Sequence, residues 1–487
     1  MNANRHRHDA PLVRDVSRQV AAHAFSRAAG APLIGGNHVE LLIDGRANYD
    51  AWLAAVSNAK TSILFENYII RDDETGRAFL DAFVERAKAG VQVRVMRDWI
   101  GCIGQSRASF WQPLIDAGGE VRAFRPFKFS QPFSIINRDH RKSLVVDADV
   151  GFIAGLCVSS TWLGDAKRDI PPWRDTGVSI TGPALAAMIH AFDDNWGHIG
   201  SALPSDILTL ADEIPDRGDI DLRVVATRPN DVGLYRLDQL IASIAQRSLW
   251  LSDAYFVGTA AYVQALSAAA RDGVDVRLLV PGSSDIPAVG SMSRAGYRPL
   301  LEAGVRVFEW NGSMMHAKTA VADGTWARVG STNLNIASWI GNSELDVAIE
   351  NAAFARQMEQ QYECDLEDAT EIVLSGTRHT CRAGIEIPRP RRIDPRGGKG
   401  STGRVAASAV RMANSFGAAF TRRRELGHAE TGVVLMAALV LAAIAVVGWL
   451  WPRVLAFPIA FLLSWIAIAT GLRWWRMRRG AKAPPVH

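Results

Sequence analysis

The chain has 487 residues, 48% of them apolar and 21% charged, room for two or three folded domains of roughly 150 residues. A net charge of only +4 excludes a protein that binds polyanions through its bulk charge. The four cysteines (Cys102, Cys157, Cys364 and Cys381) are scattered, with no CxxC pair, which excludes a disulfide framework and a zinc ribbon and favours reduced thiols.

In chain order, residues 1–30 form an N-terminal segment with room for an amphipathic helix of unassigned role. Its opening "MNANRHRHDAPLVRD" lacks the apolar core of a secretory signal. From Ala31 the pattern becomes α/β. "TSILFENYII" (61–70) reads as a buried strand. "AKAGVQVRVM" (87–96) reads as a helix end, a glycine stop and an alternating strand, and "LIDAGGEVRAF" (114–124) repeats that grammar. All three recur about 183 to 187 residues later, as "RSLWLSDAYF", "ARDGVDVRLL" and "LLEAGVRVFEW", with Tyr68 and Tyr255 in corresponding places. A period that long is a duplicated domain rather than a solenoid. The expected halves are 31–203 and 219–377, each a largely buried sheet with helices on its faces.

The C-terminal part differs in kind. Residues 378–430 form a basic linker, with twelve Lys/Arg against two Asp/Glu between Arg378 and Arg424. Within it, Val405, Ala409, Met412, Phe416 and Phe420 are spaced helically. That pattern fits a basic amphipathic helix on a membrane or a solvated linker helix equally well. Gly432 to Trp451 is then 20 residues without a charge, and Val454 to Leu472 is 19 more. Each is long enough to span the roughly 30 Å hydrocarbon core as a helix. Arg422, Arg423 and Arg424 precede the pair, Arg473, Arg476, Arg478 and Arg479 follow it, and the turn holds only Arg453. The positive-inside rule then predicts a transmembrane hairpin over 432–472 with both termini cytoplasmic.

The chemistry sits in a motif that also occurs twice. "HRKSLVVD" carries His140, Lys142 and Asp147; "HAKTAVAD" carries His316, Lys318 and Asp323. Residues two apart on a strand face the same way, so each histidine projects beside its lysine. Two such halves, packed about a pseudo-twofold axis, make a pocket of two imidazoles and two ammonium groups, which suits a phosphodiester. One histidine can attack phosphorus and the other can protonate the leaving alcohol, each oriented by a carboxylate. Past Asp323 comes "GSTNLNIASW", with Gly330, Ser331 and Asn333; the same register in the first half gives "AGLCVSSTW". Asp175 and Glu344 lie further on. The lysines supply the cations, so no cofactor and no metal is expected. His6, His8, His190 and His198 lack the companions of a site, and no phosphate-binding P-loop or dinucleotide motif is present.

The doubled motif resembles the HxKx4Dx6GSxN signature of the phospholipase D superfamily. "NRDHRKSLVVD" and "AGAPLIGGNHVELLIDG" resemble bacterial cardiolipin synthases, over about residues 31–375. The resemblance implies a sandwich of two α/β halves with the site between them, and a covalent phosphohistidine intermediate. It makes His140 the nucleophile and His316 the general acid and base. It crosses the carboxylates over, Glu344 serving His140 and Asp175 serving His316, and it gives Lys142, Lys318 and Asn333 the phosphate. Asp147, Asp323, Gly330 and Ser331 become structural members of the motif. The chain departs from the signature at Cys157, where asparagine is usual, and at Ala154, where glycine is usual.

These readings point to a phosphatidyltransferase of the bacterial inner membrane, with its catalytic part in the cytoplasm. Its substrates would be phospholipids such as phosphatidylglycerol, and its product cardiolipin. The competing readings are a phospholipase D that transfers to water, a nuclease using the basic segment 378–424, and a non-catalytic membrane scaffold in which Cys157 marks decay. The hairpin and the intact His/Lys pairs favour the first, with no nucleic-acid partner; the sequence leaves the oligomeric state open.

Overall fold

The computed structural model describes residues 23–128, 136–211, 213–374 and 423–426, with isolated positions between 439 and 471. Residues 1–22, most of the basic linker and most of the expected hairpin therefore lie outside the described residues. Among the described residues no helix is long and apolar enough to cross a membrane.

The first half contributes β1 (Ile34–Ile43), β2 (Ser62–Asn67), β3 (Gln92–Asp98), β4 (Glu120–Phe124), β5 (Lys142–Val146), β6 (Val150–Ala154) and β7 (Thr176–Thr181). The second contributes β8 (Ile220–Thr227), β9 (Ser248–Ser252), β10 (Asp275–Pro281), β11 (Arg306–Trp310), β12 (Thr319–Ala322), β13 (Trp326–Gly330), β14 (Glu344–Ile349) and β15 (Ala369–Leu374). The first half is ordered β1-β7-β6-β5-β2-β3-β4 and the second β8-β14-β13-β12-β9-β10-β11-β15, so corresponding strands take corresponding places. The halves join where β1 pairs antiparallel with β8, in one continuous ladder. One element lies outside the sequence expectation. Arg423–Leu426, read as the basic flank of a hairpin, forms β16 and pairs parallel with β15.

Strands buried on both faces explain the continuous apolar runs. On β2, Ile63 and Phe65 enter a core private to the first half, and Leu64 enters a core that the halves share. On β9, Leu249 and Leu251 enter the second half's own core, and Trp250 the shared one. Helices Ala184–Ile199 and Ala352–Glu367 fill the shared core with Met188, Phe192, Trp196, Phe354, Met358 and Tyr362. The glycine stops behave as their position demands: Gly90 and Gly273 have φ of 91° and 95°, in the left-handed region where a Cβ would be strained.

Asp147 and Asp323 lie at the end of β5 and β12 remote from the histidines, each in the left-handed region with φ of 54° and 53°. Asp147 accepts from the backbone N–H of Lys60 at 2.7 Å and of Thr61 and Ser62 at 2.8 Å, and from the Thr61 hydroxyl at 2.8 Å. Asp323 does the same for Gln246, Arg247 and Ser248. Each carboxylate thus pins the start of the neighbouring strand, β2 or β9, and with it the register of the ladder. Burial works to raise the Asp147 carboxyl, but the N–H donors of Ser62, Thr61 and Lys60 outweigh it and hold it below its ordinary value. A depressed carboxyl contributes stability that is present above its unfolded-state value and is lost as pH falls through the folded-state value. Asp147→Asn, which tolerates the left-handed backbone but loses the charge, is expected to cost roughly 1–3 kcal/mol at neutral pH. Chemical denaturation should show the gap to the natural protein closing in acid; a gap unchanged by pH would remove the carboxylate from this role.

Candidate active site

Both histidines precede their strands: Lys142 opens β5, and Lys318 lies immediately ahead of β12. Asp175 lies just ahead of β7 and Glu344 opens β14. These four short segments cross between the halves. The His140 N–H donates to the Ser343 carbonyl at 2.9 Å, and the Ser343 N–H donates to the Arg138 carbonyl at 2.8 Å. In the mirror arrangement the His316 N–H donates to the Arg174 carbonyl at 2.7 Å, and the Arg174 N–H to the Met314 carbonyl at 2.9 Å. Each histidine is therefore fastened by its backbone to the loop that carries the other half's carboxylate.

The side chains follow. His140 Nδ1 stands 2.9 Å from Glu344 Oε2, and His316 Nδ1 stands 2.7 Å from Asp175 Oδ2. A carboxylate beside Nδ1 assigns the ring proton to that nitrogen and leaves Nε2 as the free lone pair. Lys142 Nζ donates to the His140 carbonyl at 2.5 Å; Lys318 Nζ donates to the His316 carbonyl and lies 2.9 Å from His316 Nδ1 and 3.2 Å from Nε2. Both lysines are completely buried, as are Asp175 and Glu344, while His140 and His316 keep 9% and 5% exposure. Tyr68 meets the His140 ring edge-on at 4.9 Å, and Tyr255 meets His316 at 5.8 Å.

Burial pushes the His140 imidazole down, and Lys142 adds to the effect against the pull of Glu344. Burial and then Lys318 push His316 further, to about 3. Burial also lowers Lys318, to about 8, with Asp175 resisting and Lys142 assisting. For Asp175, burial works upward, but His316, Lys318 and Trp162 outweigh it and the carboxyl ends below its ordinary value; for Glu344, His140, Lys142 and Ser331 do the same. The free site thus holds two neutral imidazoles, two ammonium groups and two carboxylates. It can accept an anion together with one proton, and can offer a neutral Nε2 to an electrophile.

The segments after the motifs are unequal. Ser331 Oγ donates to Glu344 Oε2 at 2.6 Å, and Asn342 Nδ2 donates to Oε1 at 3.2 Å. A Cβ on Gly330 would lie 2.3 Å from Asp346 Oδ1, which bars a side chain there. In the first half Gly155 occupies the place of Ser331, and a Cβ on it would lie 2.2 Å from Asp175 Oδ1. Trp162 Nε1 donates instead to Asp175 Oδ2 at 2.9 Å, and the same indole meets the His316 ring edge-on at 5.2 Å. Trp173 covers another side of His316, at 5.5 Å. Asn333 is buried, and its Oδ1 has no partner. Cys157 is buried among apolar side chains, and burial pushes its thiol up. His198 lies apart, 3.1 Å from Arg125. Trp162 escaped the sequence reading because a tryptophan five residues past a motif carries no local signal; only the fold brings it to Asp175.

Comparison with known proteins places this geometry. A family model described as "Cardiolipin synthase, PLD-like domain" matches residues 237–366. Cardiolipin synthase A of Pseudomonas putida is 34% identical over 389 residues, covering 78% of this chain and 80% of the relative. The chain belongs to the cardiolipin synthase family of the phospholipase D superfamily. Cardiolipin synthase A of Pseudomonas fluorescens is 33% identical over the same share of this chain and 80% of its own. Phosphatidylserine synthase of Haemophilus influenzae has a related fold, with a TM-score of 0.56 at 16% identity over 72% of this chain and 91% of its own.

Trp162→Phe keeps an aromatic ring against His316 and removes only the N–H that Asp175 accepts. Leaving a buried carboxylate short of one donor costs about 1–3 kcal/mol. The expected result is a kcat lower by roughly tenfold at unchanged KM. An unchanged kcat would leave the indole a packing role alone.

Proposed function

We propose that this family member is a membrane-bound phosphatidyltransferase that makes cardiolipin from two molecules of a phosphatidylglycerol-like lipid. The observation that carries the reading is the crossed pair His140–Glu344 and His316–Asp175, closed around two buried lysines. In the first step His140 Nε2 attacks the phosphorus of the donor lipid. A P–N bond forms, the P–O bond to glycerol breaks, and His316 hands the leaving oxygen a proton. Burial and then the lysine charge keep His316 unprotonated in the free site; a phosphodiester anion between Lys142 and Lys318 offsets that charge, so substrate binding loads the acid. Asn333 and the lysines hold the non-bridging oxygens. In the second step His316 takes the proton of an acceptor hydroxyl, whose oxygen attacks phosphorus and breaks the P–N bond, freeing His140. The near-complete burial of the site favours a lipid hydroxyl over water as acceptor.

In this reading residues 31–203 and 219–377 are the catalytic halves, and 378–430 is a basic linker that lends the strand β16 to the sheet. Residues 432–451 and 454–472 cross the bacterial inner membrane as a helical hairpin, with both termini and the site on the cytoplasmic side. The charge pattern of the flanks supports it. Protease added outside spheroplasts should leave the region before 430 intact; cleavage there would reject the topology.

The deciding experiment is product analysis with purified protein in phosphatidylglycerol vesicles, with and without an added water-soluble alcohol. Cardiolipin and glycerol are expected, with the alcohol diverting part of the phosphatidyl group. Phosphatidic acid as the main product would make the enzyme a hydrolase. His140→Ala and His316→Ala should each abolish turnover while the circular dichroism spectrum persists. Substantial turnover in either would sink the two-histidine mechanism.

A further inference from the structure

The strands fix which loops share the site's edge. β2, β3, β9 and β10 all end there, and β5 and β12 begin there. Ile103, Ile136, Ile170, Ile286, Met292 and Ile336 stand on connections at this edge, exposed by 39% to 63%. Of the other exposed large apolar side chains before residue 375, Leu163 stands at the site's edge too, while Ile115, Leu210 and Ile244 stand on helices that lead to strand starts at the opposite edge. Ile136, Ile170 and Ile336 lie four, five and three residues from His140, Asp175 and Asn333. Ile103 follows Cys102, whose thiol lies against the Tyr68 carbonyl; Ile286 follows Asp285, which accepts from the Tyr255 hydroxyl. Exposed cations, Lys128, Lys167 and Arg168, stand on the same edge. Phe127, also there, meets the ring of Trp465 in the second apolar run at 6.1 Å.

Resting on the function proposed above, we infer that this rim seats the site's mouth on an anionic lipid surface. The apolar tips enter the acyl boundary and the cations face the head groups, so a lipid reaches the histidines without crossing water. The test compares the full chain with its Ile103→Asp/Ile286→Asp variant on two substrates: phosphatidylglycerol vesicles, and a short-chain phosphatidylglycerol dissolved below its micelle concentration. The variant is expected to lose at least tenfold on vesicles and less than twofold on the dissolved lipid. Equal loss on both, or loss on neither, overturns the rim. So does a concentration-dependent dimer of the natural chain that the variant abolishes, since the face would then belong to a second copy. A natural chain inactive on both substrates would fail the proposed function instead.

A second observation stands by itself. Asn67 is completely buried, and neither polar atom of its amide has a partner. It pairs across the ladder with Lys142, so both side chains leave the sheet on one face. The chain beyond it runs beside the Cys157 segment: Val158 N–H donates to the Ile69 carbonyl at 3.0 Å, and Ile70 bridges Val158. In the second half the same register sets Asp253 opposite Lys318, but Asp253 accepts from the backbone N–H of Leu334 at 2.9 Å and of Tyr255 at 3.1 Å. The geometry points to Asn67 as the amide that donates to a phosphate oxygen where the motif asparagine is replaced by Cys157. Asn67→Asp is isosteric, and the scaffold already holds an aspartate at the corresponding place, so it should fold; it loses the donor. A fall in kcat of about 10²-fold is expected, as for loss of one oxyanion donor. Cys157→Asn added to it should recover at least tenfold. An Asn67→Asp enzyme within twofold of the natural one, or a double variant no better than the single, overturns the assignment.

Discussion

The site depends on one exchange: each histidine is held by the half to which it does not belong. His140 takes its carboxylate from Glu344 and its backbone partner from Ser343; His316 takes its carboxylate from Asp175 and its backbone partner from Arg174. Neither half alone contains an oriented imidazole. The shared core of Met188, Phe192, Trp196, Phe354 and Met358 is what keeps the exchange in register. Arg174 ties it further, with its guanidinium on Asp365 at 2.8 and 2.9 Å. The apolar surface between the halves therefore serves the chemistry as well as stability, because a small slip there would separate two hydrogen bonds of 2.7 and 2.9 Å.

Charge explains why so polar a cluster can be buried. Breaking a buried ion pair leaves an uncompensated charge, which costs several kcal/mol. Here Lys142 and Lys318 offset Glu344 and Asp175, and burial keeps both imidazoles neutral. The resting cluster is balanced. A phosphodiester adds one negative charge and unbalances it by one, and the cheapest correction is a proton on a histidine. In the proposed mechanism substrate binding and acid loading are thus one event, and a site that is neutral when empty would become an acid only when there is a leaving group to protonate.

Much of this was legible in the sequence. The repeat of helix, glycine and strand, the doubled histidine and lysine, and the buried strands all reappear, because each rests on local periodicity or on a backbone constraint such as φ at Gly90 and Gly273. The pairing of each carboxylate with the opposite histidine came only through family resemblance, since residues 204 and 141 positions apart carry no local mark of contact. Trp162 and Asn67 were not legible for the same reason. Nothing in "SSTW" or "FENY" says what will face it across a sheet. The strand at Arg423–Leu426 is hidden by its composition, since a run of arginines marks a charged flank and gives no sign of a four-residue pairing.

The two halves are copies, yet their sites differ by a set of linked substitutions. In one, a serine donates to a glutamate; in the other, glycine stands opposite an aspartate and a tryptophan donates from outside the motif. Each change accounts for the next. The shorter aspartate draws its carboxylate toward its own strand. There it would collide with any Cβ at Gly155, so the serine cannot be kept and its hydrogen bond must come from elsewhere. The indole that supplies it also walls His316 away from water. By the assignment inferred above, Cys157 and Asn67 follow the same logic beyond the end of β6: the motif donor is missing, and a buried amide at the end of β2 has no other use. A gap in a signature motif is therefore weak evidence of a decayed site. What matters is whether some other residue, wherever it stands in the chain, offers the same atom at the same place.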